Sequence, residues 1–316
     1  MKLRAALITL LFISFIQQVK SQVLITTTLP DSITYWERTN AVGLDINEIA
    51  FVNWSVGGNN SVSILAKGNF VRKYTKNNVN WTNELIIKYG INSQEGQEMR
   101  KTDDQFGFNS TFGYRSVPTS NWFYSAKFTF NTQFSNGYSY PNTIDEISGP
   151  FAPAYIFLGV GSEYIRKDLG LTAYFSPLTD KTTLVLNQTL ADKGSFGVQK
   201  AILDAEGNVL TPGKRSRTEV GILLTNQYKK QLFKNIMLDQ RTTLYTDYLN
   251  NFGNIDVDFQ FTLDMTVNQY VKANIGAHII YDDDIKATEE VAGTQVQVGP
   301  KMQLKQMLGV GLSYTF

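Results

Sequence analysis

Apolar and polar residues alternate along most of this chain with a period of two, the spacing that puts every second side chain on one face of a strand. The clearest stretch runs from Ile255 to Val267. Its odd positions hold Ile255, Val257, Phe259, Phe261, Leu263, Met265 and Val267, and its even positions hold Asp256, Asp258, Gln260, Thr262, Asp264 and Thr266. Soluble strands are usually about 5 to 6 residues long, whereas a tilted strand needs about 9 to 11 residues to cross the apolar layer of a membrane. The pattern recurs at 79–91, 106–115, 122–134 and 302–316, and in weaker form at 60–74, 154–165, 169–177, 217–231, 235–250 and 270–282.

The connections alternate as well. Those near 75–78, 117–120, 166–168, 232–234 and 268–269 are tight, whereas 93–104, 135–153, 178–216 and 283–299 are long. Membrane barrels combine short periplasmic turns with longer extracellular loops. If the last strand ends in the periplasm, one more strand must precede residue 60. Leu44 to Ser55 (LDINEIAFVNWS) is the candidate, with GGNN at 57–60 as its turn; an inward-folded plug is the other reading of that stretch. The expected fold is all-β, a transmembrane antiparallel β-barrel of about twelve strands, within ten to fourteen. It occupies 44–316, with 22–43 as an N-terminal periplasmic segment and 178–216 as a long extracellular loop.

Aromatic positions fit this layout. Tyr and Trp favour bilayer interfaces because their rings are apolar with a polar tip. Tyr74, Trp81, Tyr114, Trp122, Tyr164, Tyr228 and Tyr314 share the apolar parity near the expected periplasmic ends. Tyr89, Phe106, Phe134, Tyr248 and Tyr281 would form the outer girdle. A soluble β-sandwich also alternates, but its strands are shorter and it gives no reason for the chain to end on an apolar-face aromatic. Phe316 in that position implies recognition by the barrel-assembly machinery.

Composition adds the compartment. Aromatics make up 13%, with 16 Tyr and 20 Phe, yet the mean hydropathy is −0.19, as alternation produces. After residue 20 no apolar run is long enough for a transmembrane helix. The opening MKLRAALITLLFISFIQQVKSQ has a basic start, a short apolar stretch and a small residue at Ser21, which predicts a signal peptide over 1–21, cleaved before Gln22. A buried N-terminal helix is the competing reading. The absence of cysteine rules out a lipoprotein anchor, zinc–thiolate sites and cysteine nucleophiles, and a closed barrel needs no disulfide. Removing Lys2, Arg4 and Lys20 from the 29 basic residues leaves 26 against 28 acidic ones, a net charge of −2. That gives no electrostatic case for nucleic acid.

Several segments carry a resemblance. They are NWSVGGNNS at 53–61, RKTDDQ at 100–105, YSYPN at 138–142, FAPAY at 151–155 and FSPLTDKTTLVLNQTLADKGSFGV at 175–198. To these are added NID at 254–256, YDDDIK at 281–286 and the closing GPKMQLKQMLGVGLSYTF. In this order, from about residue 40 onward, they resemble a Bacteroidetes outer-membrane family known only as a domain of unknown function. The resemblance implies the outer membrane of a Gram-negative bacterium of that phylum, and no activity or active-site residue.

The residues offer little chemistry. His278, the single histidine, shares the parity of Lys272, Asn274 and Gly276 and so faces the lumen. A barrel phospholipase needs its Ser–His pair on the lipid side. Asp282–Asp284 could bind calcium through oxygen ligands, but the spacing fits no loop motif, and a solvated loop touching lipopolysaccharide is the simpler reading. Gly57, Gly58 and Gly194 are turn or bend glycines without a phosphate-loop pattern. Parity turns Glu84, Lys88, Arg115, Lys127, Arg241, Asp256, Asp258, Asp264, Lys272 and His278 inward. Twelve strands enclose less space than a 16–18-stranded porin, so such a lumen is narrow. The expectation is a multi-pass outer-membrane barrel, a narrow channel or transporter for a small solute; a closed structural or interaction barrel is the alternative. No catalytic residue, metal or cofactor is expected, and lipid and lipopolysaccharide are the expected surroundings.

Overall fold

A computed structural model describes residues 34–49, 59–250, 252–291 and 294–315. Within them, twelve antiparallel strands form one meander whose first and last members pair to close a barrel. The first six are β1 (Trp36–Ile49), β2 (Ser61–Lys76), β3 (Val79–Gln94), β4 (Arg100–Tyr114), β5 (Trp122–Thr132) and β6 (Ala154–Arg166). The second six are β7 (Leu171–Leu184), β8 (Ser216–Phe233), β9 (Ile236–Asp247), β10 (Asp256–Thr266), β11 (Val271–Tyr281) and β12 (Gln303–Thr315). Closure satisfies the backbone groups along the wall without leaving an open sheet edge, the condition for strands in lipid. At the seam, Ala41–Asp45 of β1 pair with Gly311–Thr315 of β12.

Tight turns gather at one rim. Asn77, at φ 51°, turns β2 into β3, and 167–170 and 234–235 link β6–β7 and β8–β9. The opposite rim carries the long connections. Small hairpins project there from 137–148, from Ile202–Leu203 paired with Val209–Thr211, and from Lys286–Val291 paired with Thr294–Pro300.

Three boundaries differ from the sequence reading. The first strand starts at Trp36 rather than 44, so 36–43 is wall and not periplasmic segment, and 44–49 is wall rather than plug. Its start was hidden because Arg38 and Asn40 share the apolar parity of Trp36 and Val42. The remainder of the expected strand, 50–55, and Gly57–Gly58 lie outside the described residues, as do the expected signal peptide and Phe316. The connection expected over 93–104 shrinks to 95–99, because the polar run from Arg100 joins the ladder after a register shift at Gly90–Ile91. The loop expected over 178–216 narrows to 185–215.

The physical reason for the last difference is a β-bulge. Along β7, Tyr174 and Ser176 are buried, Pro177 and Leu178 are exposed, and Thr179, Lys181 and Thr183 are buried. The inward parity switches from even to odd across Pro177, as an extra residue requires, and the registers to β6 and β8 shift at the same place. Ser176 Oγ donates at 2.8 Å to either Val160 O or Leu178 O, and accepts from Thr179 Oγ1 at 2.8 Å. Gly159 makes room for this knot: a Cβ there would lie 2.6 Å from Thr179 Oγ1 and 2.8 Å from Ser176 Oγ.

Apolar burial occurs in two places. Inside the wall, Tyr174, Leu223 and Tyr245 pack with Phe157. On the long-connection rim, Val185, Leu190, Ala191 and Val198 pack with Ala152 and Phe196. There the Asn187 side chain caps helix α1 (Gln188–Asp192) by accepting from Leu190 N at 3.2 Å. Asp192 Oδ1 accepts from Gly213 N at 2.7 Å and ties the two arms of the 185–215 segment together. Its tip is different: Ile202, Leu203, Val209 and Leu210 are all exposed.

Candidate functional site: a lumen crossed by ion pairs

With the strands numbered round the ring, inward side chains meet far-separated partners. Arg241 of β9 reaches Glu84 of β3, six places away, through Nη1–Oε2 and Nη2–Oε1 contacts of 3.2 Å each. Glu84 also accepts from Asn69 Nδ2 at 2.7 Å and Asn109 Nδ2 at 3.2 Å. Lys305 of β12 bridges to Asp103 of β4 at 2.8 Å. Lys127 of β5 donates to Thr225 Oγ1 of β8 at 2.8 Å.

Nearer the long-connection rim lies a denser cluster. Lys181 Nζ is 2.6 Å from Asp256, 3.6 Å from Glu219 and 3.7 Å from Asp282, and lies over the Tyr245 ring. Arg217 bridges Glu219 at 3.2 Å and Asp284 at 2.8 Å. Asp256, Asp282 and Asp284 are close enough to share a cation, and Lys181 and Arg217 already supply positive charge to them. The 185–215 segment touches this cluster where Arg217 Nη1 donates to Gly197 O at 3.4 Å. At the other rim, in the β6–β7 turn, hydrogen bonds from Arg166 hold the Asp168 carboxyl down at about 2.

The residues singled out from sequence are dispersed through this interior. Glu84 and Arg241 are brought together. Asp256 joins Lys181, and Asp258 Oδ1 accepts from His278 Nε2 on the adjacent strand at 3.0 Å. Arg115 stands just past β4, donating to Ser120 O and Asn77 O at the tight-turn rim. Lys88, Asp264 and Lys272 have no ion-pair partner within 4.0 Å among the described residues. Sequence reading missed Lys181, because its strand was ended at the bulge, and Asp45, which bridges Lys67 at 2.8 Å.

The outer face is the reverse of the inner one. Leu158, Val160, Phe175, Leu308, Val310 and Leu312 are exposed, and aromatic pairs such as Trp122–Tyr164, with centroids 4.8 Å apart, stand near the tight turns. A closed ladder, an apolar outer wall and a charged interior belong together only in lipid. The protein is a bacterial outer-membrane β-barrel. Residues 46–138 match the profile of a family described as "Protein of unknown function (DUF3078)". No curated protein matches the chain. Among solved structures it is similar to the translocator domain of autotransporter NalP from Neisseria meningitidis, at 12% identity over 90% of this chain and 89% of that one, TM-score 0.38. It is also similar to the COG4313 outer membrane channel from Pseudomonas putida F1, at 10% identity over 91% and 100%, TM-score 0.40. At such values the likenesses carry no activity to this chain, and the architecture rests on its own strand ladder.

Proposed function

We propose that this barrel is a narrow outer-membrane channel for a small polar solute, closed at rest by its own interior. The observation that supports it is the Arg241–Glu84 bridge between opposite strands. A guanidinium–carboxylate pair spanning the lumen leaves no wide aqueous path, yet it is a polar contact that a competing solute or a field can exchange. The tight turns face the periplasm and the 185–215 segment faces outward in this reading, with a signal peptide over 1–21 and Phe316 serving assembly. No catalytic step is assigned.

The second reading is a sealed structural or interaction barrel, favoured by the buried Lys181 cluster, which fixes the wall from inside near one mouth. Planar-bilayer recordings separate the two. A channel gives weak currents from the native protein and clear steps from Arg241→Ala, whereas a sealed barrel stays silent in both. Large, steady, porin-like currents from the native protein would overturn the narrow lumen altogether.

A further inference from the structure

On the outer wall of β1–β4 a charged rung stands beside aromatic and apolar ones. Arg38 of β1 pairs with Arg72 of β2, Arg72 with Asn83 of β3, and Asn83 with Ser110 of β4. All four face outward, since Asp45, Lys67 and Glu84 make their contacts inside on the opposite parity. The next rung toward the tight turns is Trp36–Tyr74–Trp81, whose rings pack with centroids 5.2 Å apart for Trp36–Tyr74 and 5.8 Å for Trp36–Trp81. The next rung toward the membrane interior holds Asn40, Phe70, Leu85 and Phe108. Between aromatic belt and apolar band, a cavity of about 390 Å³ opens, lined by Trp36, Arg38, Arg72, Trp81 and Asn83.

Like charges directly opposite each other on a sheet are destabilising, and a charge on the lipid face of a barrel wall is costly. Among the described residues neither guanidinium has a carboxylate within 4.0 Å. The Arg72 side chain's own hydrogen bond is from Nη1 to Val71 O, at 2.8 Å. Other rim cations are engaged differently, Arg166 with Asp168 and Arg115 with turn carbonyls. The pocket walls are also fixed in place: Trp81 Nε1 donates to Ser110 Oγ at 3.0 Å, and Ser110 Oγ donates to Asn83 Oδ1 at 2.8 Å. With Oδ1 engaged, the Asn83 amide has its NH2 left to donate.

We propose that this rung is a binding site for the phosphate headgroup of an anionic glycerophospholipid in the leaflet at the tight-turn rim. Two guanidiniums and an amide suit phosphate oxygens, which guanidinium binds in bidentate fashion. The aromatic rung lies at headgroup level, and Phe70 and Leu85 continue the wall where acyl chains run. The site is independent of whether the lumen conducts.

Native mass spectrometry of the purified full-length barrel tests it, using an equimolar mixture of phosphatidylglycerol and phosphatidylcholine with matched acyl chains. The native protein is expected to retain phosphatidylglycerol with a preference of about tenfold or more, the scale of two interfacial cations. Arg38→Gln/Arg72→Gln should bring the two lipids to parity. Arg38→Lys/Arg72→Lys, which keeps the charge, should retain most of the preference and guards against a folding artefact, with heat-dependent gel mobility as the fold check. Lys230→Gln/Lys234→Gln removes two exposed cations from another turn of the same rim and should change nothing. A native protein without preference, or equal loss in the Lys230/Lys234 variant, would overturn the site. Complete displacement of the lipid by millimolar inorganic phosphate would overturn the lipid as its occupant.

Discussion

Arg241 and Glu84 are separated by 157 positions in sequence and face each other across the full width of the barrel, joined by two contacts of 3.2 Å. Neither side chain is fully desolvated, at 32% and 17% relative exposure. The pair therefore lies between the surface case, about 0–1 kcal/mol, and the buried one, where removing one partner costs about 3–5 kcal/mol. It also positions its surroundings, since Glu84 gathers Asn69 and Asn109 from both neighbouring strands.

Breaking the bridge should cost about 2 kcal/mol of folding stability, between those two ranges, and should raise conductance. The exchanged pair Glu84→Arg/Arg241→Glu is expected to recover most of both effects, because the two positions are matched across the lumen. Urea titration in vesicles and single-channel recording measure the two outcomes. A swap no better than either single variant would show that Asn69, Asn109 and Asp239 matter more than the bridge itself.

Lys181→Met should be among the most destabilising single changes in the wall. It leaves Glu219, Asp256 and Asp282 facing one another without their shared cation, and uncompensated buried charge costs about 3–5 kcal/mol. Adding Asp256→Asn should recover part of the loss. An unfolding midpoint unchanged from native in Lys181→Met would contradict the electrostatic role given to this cluster.

Neighbouring changes on β10 should have opposite outcomes. Phe261→Arg puts a charge into lipid, a penalty of about 2–4 kcal/mol near the midplane. Gln260→Arg enters an interior where Gln260 already donates to Asp258 at 3.2 Å and pairs with His278 in the ladder. Heat-dependent gel mobility reads the folded fraction, and equal loss in both variants would contradict the assigned faces.

How far the sequence shows this structure depends on the local pattern. β10 is legible from Ile255 to Val267 because nothing interrupts its alternation. β7 fades at Pro177 because a bulge reverses parity there, and β1 fades because Arg38 and Asn40 stand on the lipid side. The inward cluster of Phe157, Tyr174, Leu223 and Tyr245 breaks the expected polar interior, so no parity rule would find it. Partner choice is hidden for another reason: Arg241 meets Glu84 only once eleven consecutive strand pairings and the seam have closed the ring.

Orientation is testable because the native chain has no cysteine. Ala205→Cys lies in the exposed tip of the 185–215 segment and Asn77→Cys in the tight β2–β3 turn. An impermeant maleimide on intact cells should label position 205 and spare position 77. The reverse result would invert the barrel in the membrane and move the proposed lipid site to the opposite leaflet.

The two halves of the 185–215 segment should behave differently when altered. Its base is packed, with Val185, Leu190, Ala191 and Val198 buried, and it meets the mouth cluster through the Arg217–Gly197 hydrogen bond. The tip from Ile202 to Thr211 is a two-stranded hairpin with its apolar side chains exposed. Replacing 202–211 by a short Gly–Ser turn should therefore leave conductance and unfolding midpoint close to native. Leu190→Asp introduces a carboxylate into the apolar nucleus, which has no partner for it. It should release the base, loosen Arg217 from Gly197 and raise conductance while the twelve-stranded wall stays folded. If shortening the tip alone raised conductance as much as Leu190→Asp, the hairpin rather than the packed base would be what restricts the mouth, and the contact at Gly197 would be incidental.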